Sequence, residues 1–128
     1  MKTIKYLLII FIFSNLVSSC LREYFKTPAL DPNAQISFTR DLQPIFASKC
    51  AISGCHNKSV SPNLLKDDAY LSLFENGLVD TTFLVNPKLR AEDNTLMIKL
   101  NTNMPVGKLP LIDRNKFLLW LKQGAKLN

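Results

Sequence analysis

Histidine is almost missing from this chain: 128 residues contain one, His56, so no centre held by two imidazoles can be built from it. Cysteine is scarce as well, with three residues, Cys20, Cys50 and Cys55. Apolar and polar residues never alternate over the length of a strand, and Phe83-Leu84-Val85 is too short a run to build a sheet. No uninterrupted apolar run reaches the roughly 20 residues that a membrane-spanning helix needs. Lys and Arg form no dense cluster interleaved with aromatics, so a nucleic-acid partner has no support. Internal repeats, low-complexity tracts and groupings of general acid, base and nucleophile are also missing. What remains is a short chain with room for one small domain.

The N-terminus reads as an address. MKTIKYLLIIFIFSNLVSSC begins with Lys2 and Lys5, continues apolar from Tyr6 to Phe13, and ends in small residues before Cys20, the pattern of a secretory signal. Val17-Ser18-Ser19-Cys20 resembles the bacterial lipobox. That resemblance implies a signal peptide over residues 1–19, lipidation of Cys20, and a cell-envelope protein, periplasm-facing or at the cell surface, held to the membrane by acyl chains. The acidic residue that retains some lipoproteins in the inner membrane does not follow the cysteine, where Leu21 stands. Residues 1–19 take two of the sixteen Lys and Arg and none of the ten acids, leaving a mildly basic remainder of +4. Cys50 and Cys55 are then a pair in a compartment where free thiols are unusual.

Residues 20–35 carry Pro28 and Pro32 without apolar periodicity, which suggests a tether. The domain is expected over 36–128. Ser37 or Thr39 is placed to cap a helix with Leu42, Ile45 and Phe46 on one face, and this helix runs directly into Cys50. A second short helix is expected from an Asp67 cap, with Leu71 and Phe74 on its inner face and Gly77 at its end. Asn94 caps a third, carrying Leu96, Met97 and Leu100. Asp113 caps a fourth, with Phe117, Trp120 and Leu121 inward and Gly124 closing it. The expected class is all-α, about four short helices with long loops. So small a fold with so little regular structure needs a staple.

The stretch CAISGCH, residues 50–56, offers one. Two thiols and an adjacent histidine are what covalent haem attachment requires: each thiol adds across one vinyl group of the porphyrin, and the histidine reaches the iron from one face. Four residues separate the cysteines where two are usual, and Gly54 suits a turn that loops the extra residues out. A Cys50–Cys55 disulfide in a haem-free surface lipoprotein is the alternative, although so short a loop yields little chain-entropy stabilisation. Zinc is poorly served by two thiolates and one imidazole. If haem binds through His56, its second axial ligand is a methionine or the site is open, as in a gas sensor or a peroxide-reactive domain. Met97 falls in an apolar stripe; Met104, in a loop stiffened by Pro105 and Pro110, is the better placed thioether.

Three runs, FTRDLQPIFASKCAISGCH, VNPKLRAEDNTLMIKL and MPVGKLPLIDRNKFLLWLKQGA, resemble the small monohaem c-type cytochrome domains of exported bacterial proteins. The likeness spans about residues 36–126 and departs from the family pattern in the four-residue cysteine gap and in Val106, where a second proline is common. It implies a cytochrome c-like fold around one covalent haem c, with Cys50 and Cys55 as thioether residues, His56 as proximal ligand and Met104 as distal ligand. It further implies that the Pro62 carbonyl accepts from His56 Nδ1 and that Leu64 lies against the ring. The corresponding function is single-electron transfer between redox proteins in the envelope, without a catalytic site of its own.

Overall fold

The structure, a computed structural model, describes residues 30–102 and 109–128. Its first helix opens with a reciprocal cap: Ser37 Oγ accepts from the Arg40 N–H at 3.2 Å, and the Ser37 N–H donates to the Asp41 carboxylate at 2.8 Å. The turn that follows, Phe38–Leu42, is π-helical and leads into α1, Gln43–Lys49. Pro44 sits in the first turn of α1, where its missing N–H is tolerated, and the widened turn immediately precedes it. Cys50 is the C-terminal cap, its N–H donating to the Phe46 carbonyl at 2.9 Å.

Helix α2 is Ala69–Glu75, closed by Gly77 at φ 63°, a left-handed conformation that glycine adopts without a Cβ penalty. Two expectations fail here. The residue before the helix is Asp68, not Asp67, and it makes no side-chain cap; its carboxylate instead accepts from Asn63 Nδ2 at 2.6 Å. The inner face is Ala69, Ser72 and Leu73, while Leu71 is 60 % exposed and Phe74 half-buried. Both sets fit a helical stripe, and packing against the other helices decides between them.

Helix α3, Thr95–Asn101, starts at the predicted cap. Asn94 Oδ1 accepts from the Leu96 N–H, and its Nδ2 reaches back 14 residues to the Asp80 carbonyl at 2.6 Å. Asn94 is 6 % exposed, so Asn94→Ala removes a cap worth about 1 kcal/mol and leaves the Asp80 carbonyl unpaired at about another 1 kcal/mol. The expected loss is about 2 kcal/mol, read as a lower urea midpoint with an unchanged slope.

Helix α4, Leu111–Lys122, begins two residues ahead of Asp113. Pro110, extended at ψ 146°, is its N-terminal cap, and Asp113 lies in the first turn, where the helix dipole favours an anion. Short 3₁₀ turns at Thr82–Leu84 and Ala91–Asp93 punctuate the long connection between α2 and α3. The described residues are thus all-α, with four α-helices and no strand. No helix among them is long and apolar enough to cross a membrane.

Aromatic side chains join the first and last helices. Phe46 and Phe117 stack tilted at 5.0 Å between ring centroids, Phe38 meets Trp120 at 5.4 Å, and Tyr70 from α2 meets Phe38 edge-on at 5.2 Å. Such pairs add about 0.5–1.5 kcal/mol each beyond the area they bury. The chain's end is clasped to the same helix. Asn128 Oδ1 accepts from the Phe38 N–H at 2.8 Å, and the Asn128 main-chain oxygen accepts from Ser37 Oγ at 2.6 Å. Gln123 bonds both the Ile36 N–H and the Ala34 carbonyl, and Leu30 and Ala34 pack on the core.

Candidate functional site

Between the C-terminal end of α1, the inner faces of α2 and α3, and the loop from Cys50 to Leu64 lies a cavity of about 530 Å³. That volume falls in the range of roughly 300–1,000 Å³ typical of cofactor pockets. Phe46, Leu64, Leu73, Leu78, Leu96 and Leu100 supply apolar wall, and Cys50, Cys55, His56 and Pro62 line the same space. Lys49 and Lys99 also border it, both exposed. The walls therefore come from the stripes that sequence reading assigns to the core: Leu96 and Leu100 are buried and yet front the cavity.

Local geometry explains how two cysteines five positions apart face one cavity. The Ala51 N–H donates back to the Phe46 carbonyl at 2.7 Å, the Cys55 N–H to the Ile52 carbonyl at 3.0 Å, and the His56 N–H to the Cys50 carbonyl at 3.1 Å. Residues Ile52, Ser53 and Gly54 are thereby looped out into solvent, with Gly54 at φ 77°. A Cβ built on Gly54 meets nothing, so the constraint there is conformational rather than steric. The extra two residues of the cysteine gap are absorbed in this exposed turn. Both thiols are free and half-buried. Burial, with a smaller contribution from Cys55, pushes the Cys50 thiol above its ordinary range, which is the opposite of what an activated cysteine nucleophile requires.

His56 is held from one side. Its Nδ1 lies 3.1 Å from the Pro62 carbonyl and 3.2 Å from the Val60 carbonyl. Carbonyl oxygens only accept, so Nδ1 is the donor in both contacts, which in the neutral ring leaves the lone pair on Nε2. Among the described residues Nε2 has no hydrogen-bond partner. The Leu64 N–H donates to the His56 carbonyl at 2.8 Å, and Gln43 Nε2 from α1 donates to the Leu64 carbonyl at 3.3 Å, so the loop closes on itself over the first helix. Leu64 is buried against the core.

In its neutral form, an imidazole held through Nδ1 in this way could serve as a metal ligand through Nε2. Among the described residues, no group of three or more His, Cys, Asp or Glu is assembled to hold a bare ion. A porphyrin supplies four nitrogen ligands itself, so one imidazole, two thiols and an apolar cavity fit haem c where they do not fit a lone cation. Met97 is buried in the core, 4 % exposed, and does not line the cavity. Met104 and Cys20 lie outside the described residues. The two flanks of the Met104 segment are joined by Arg114, which donates to the Leu109 carbonyl at 3.1 Å and to the Asn101 side-chain oxygen.

The polar contribution of α2 has no signal in the sequence. Ser61 and Asn76 also border the cavity, and Asn76 follows α2 as an unremarkable polar residue before a glycine. Only the folded chain brings it beside Ser61. No protein-family model, no curated protein and no solved structure matches the chain.

Proposed function

We propose that this chain is a monohaem c-type cytochrome that carries single electrons in the cell envelope, tethered to the membrane by lipid at Cys20. The observation that carries the reading is the convergence of Cys50, Cys55 and His56 on one apolar cavity of about 530 Å³. Haem, once bound, supplies a one-electron couple. Everything else falls to the chain. Cys50 and Cys55 would hold the haem covalently, each thiol adding across a vinyl group with the sulfur bonding one carbon and the thiol hydrogen going to the other, so that attachment would consume no oxidant. His56 would hold the iron through Nε2 while the Pro62 and Val60 carbonyls accept from Nδ1. The leucines of α2 and α3 give the space an apolar wall, which would limit the access of water to a bound haem.

Met104 would be the second residue to hold the iron in this reading, on the strength of the resemblance and of its place in the sequence just before Pro105. The protein acts as a carrier between a redox donor and an acceptor rather than as an enzyme, with no nucleic-acid partner. Its test is the mass of the denatured, lipid-free chain purified from a bacterium that assembles c-type cytochromes: the expected value is that of the polypeptide plus one haem. A bare polypeptide mass overturns the proposal.

A further inference from the structure

The Pro62 carbonyl shares its peptide plane with the Asn63 N–H, and Pro62 itself has no N–H to anchor the plane before it. Its two neighbours are fixed, one to Ser72 of α2 and the other to Asn76 at that helix's C-terminal cap. On one side the Ser61 hydroxyl donates to the Asn76 side-chain oxygen. On the other the Asn63 N–H donates to Ser72 Oγ at 2.9 Å. Asn76 Nδ2 closes the figure, donating to the Ser72 carbonyl at 2.7 Å and to Ser72 Oγ at 3.2 Å. Ser72 is 8 % exposed, so these protein partners stand in for water it cannot reach. The two anchors bracket the one residue whose carbonyl lies nearest His56 Nδ1.

We propose that Ser72 and Asn76 are positioning residues for His56. By holding Ser61 and Asn63 they keep the Pro62 carbonyl opposite Nδ1 and so leave Nε2 unprotonated. Free imidazole prefers its proton on Nε2, so the opposite tautomer has to be imposed by the bond its other nitrogen makes. The use of that tautomer in haem ligation rests on the function proposed above, but the tautomer itself belongs to the polypeptide and is measured without haem.

The experiment is nitrogen NMR of His56 in the full chain, produced without haem and labelled with ¹⁵N, at a pH where the ring is neutral. The wild-type chain is expected to show mainly the Nδ1–H form. Asn76→Ala and Ser72→Ala are expected to lower the ratio of Nδ1–H to Nε2–H by about fivefold, the equilibrium equivalent of one neutral hydrogen bond. Asn94→Ala destabilises the domain from a position off the cavity wall and is expected to leave the ratio where it was. Ser61→Ala, at an exposed position, shifts it in the same direction by a smaller factor and keeps the test available if Ser72→Ala fails to fold. A wild-type ratio like that of free imidazole, an unmoved ratio in Asn76→Ala and Ser61→Ala, or an equal movement in Asn94→Ala overturns the proposal. A polypeptide that never acquires haem sinks the cytochrome reading and leaves this ratio untouched.

Discussion

Replacing both thiols, Cys50→Ala with Cys55→Ala, is expected to leave a chain that shows no haem stain on a denaturing gel when made in a host that attaches haem to the wild type. Each thiol provides one covalent bond, so either single variant retains a thioether and a weaker stain. The second effect of the double variant is on stability. Leucines and Phe46 supply most of the apolar cavity wall, and apolar space left unfilled costs about 24 cal/mol per Å³ in well-packed cores. The cavity is partly open to water, so only a share of that cost applies, on the order of several kcal/mol. Against a total stability of about 5–15 kcal/mol this is a large fraction. A melting temperature lower by about 20 °C or more is expected relative to the loaded wild type. A band that still stains after denaturation of the double variant removes covalent attachment through these thiols.

Trp120→Ala is expected to have the largest effect of any single core truncation away from the cavity. Trp120 is 1 % exposed, packs on Phe38 and Tyr70, and donates its indole N–H to the Lys126 carbonyl at 2.8 Å. Truncation leaves a void among aromatic rings and an orphaned carbonyl, about 3–5 kcal/mol in all. Trp120→Phe keeps most of the packing and loses the hydrogen bond, at about 1–2 kcal/mol. Denaturant unfolding followed by far-ultraviolet dichroism separates the two. Equal losses in both variants would mean that the indole N–H, rather than ring volume, is what the site depends on.

Local features were legible in advance because each is written in a few adjacent residues. Ser37 and Asn94 cap, Gly77 and Gly124 end helices in left-handed conformations, and the stripe Phe117, Trp120, Leu121 faces inward. Gly54 takes the turn that its position before Cys55 suggests. Features decided by tertiary contacts were not legible. Leu71 and Leu73 are equally apolar, and only the packing of α2 on its neighbours turns Leu73 inward. Asp113 looks like a cap from composition, yet Pro110 starts the helix earlier. The π-helical turn at Phe38–Leu42 and the clip formed by Ser72 and Asn76 depend on partners across the fold, so no window of sequence contains them.

The clasp between the first helix and the chain's last residues bears on the order of assembly. Its hydrogen bonds join residues from 87 to 92 positions apart, and contacts this distant in sequence form late because the intervening loop must first be closed. Until residues 111–128 are in place, the turn before α1 lacks its Asn128 bonds and α1 lacks the aromatic surface of α4 to settle against. The cysteine loop at the end of α1 is therefore mounted on a support that is completed only when the two ends of the domain meet.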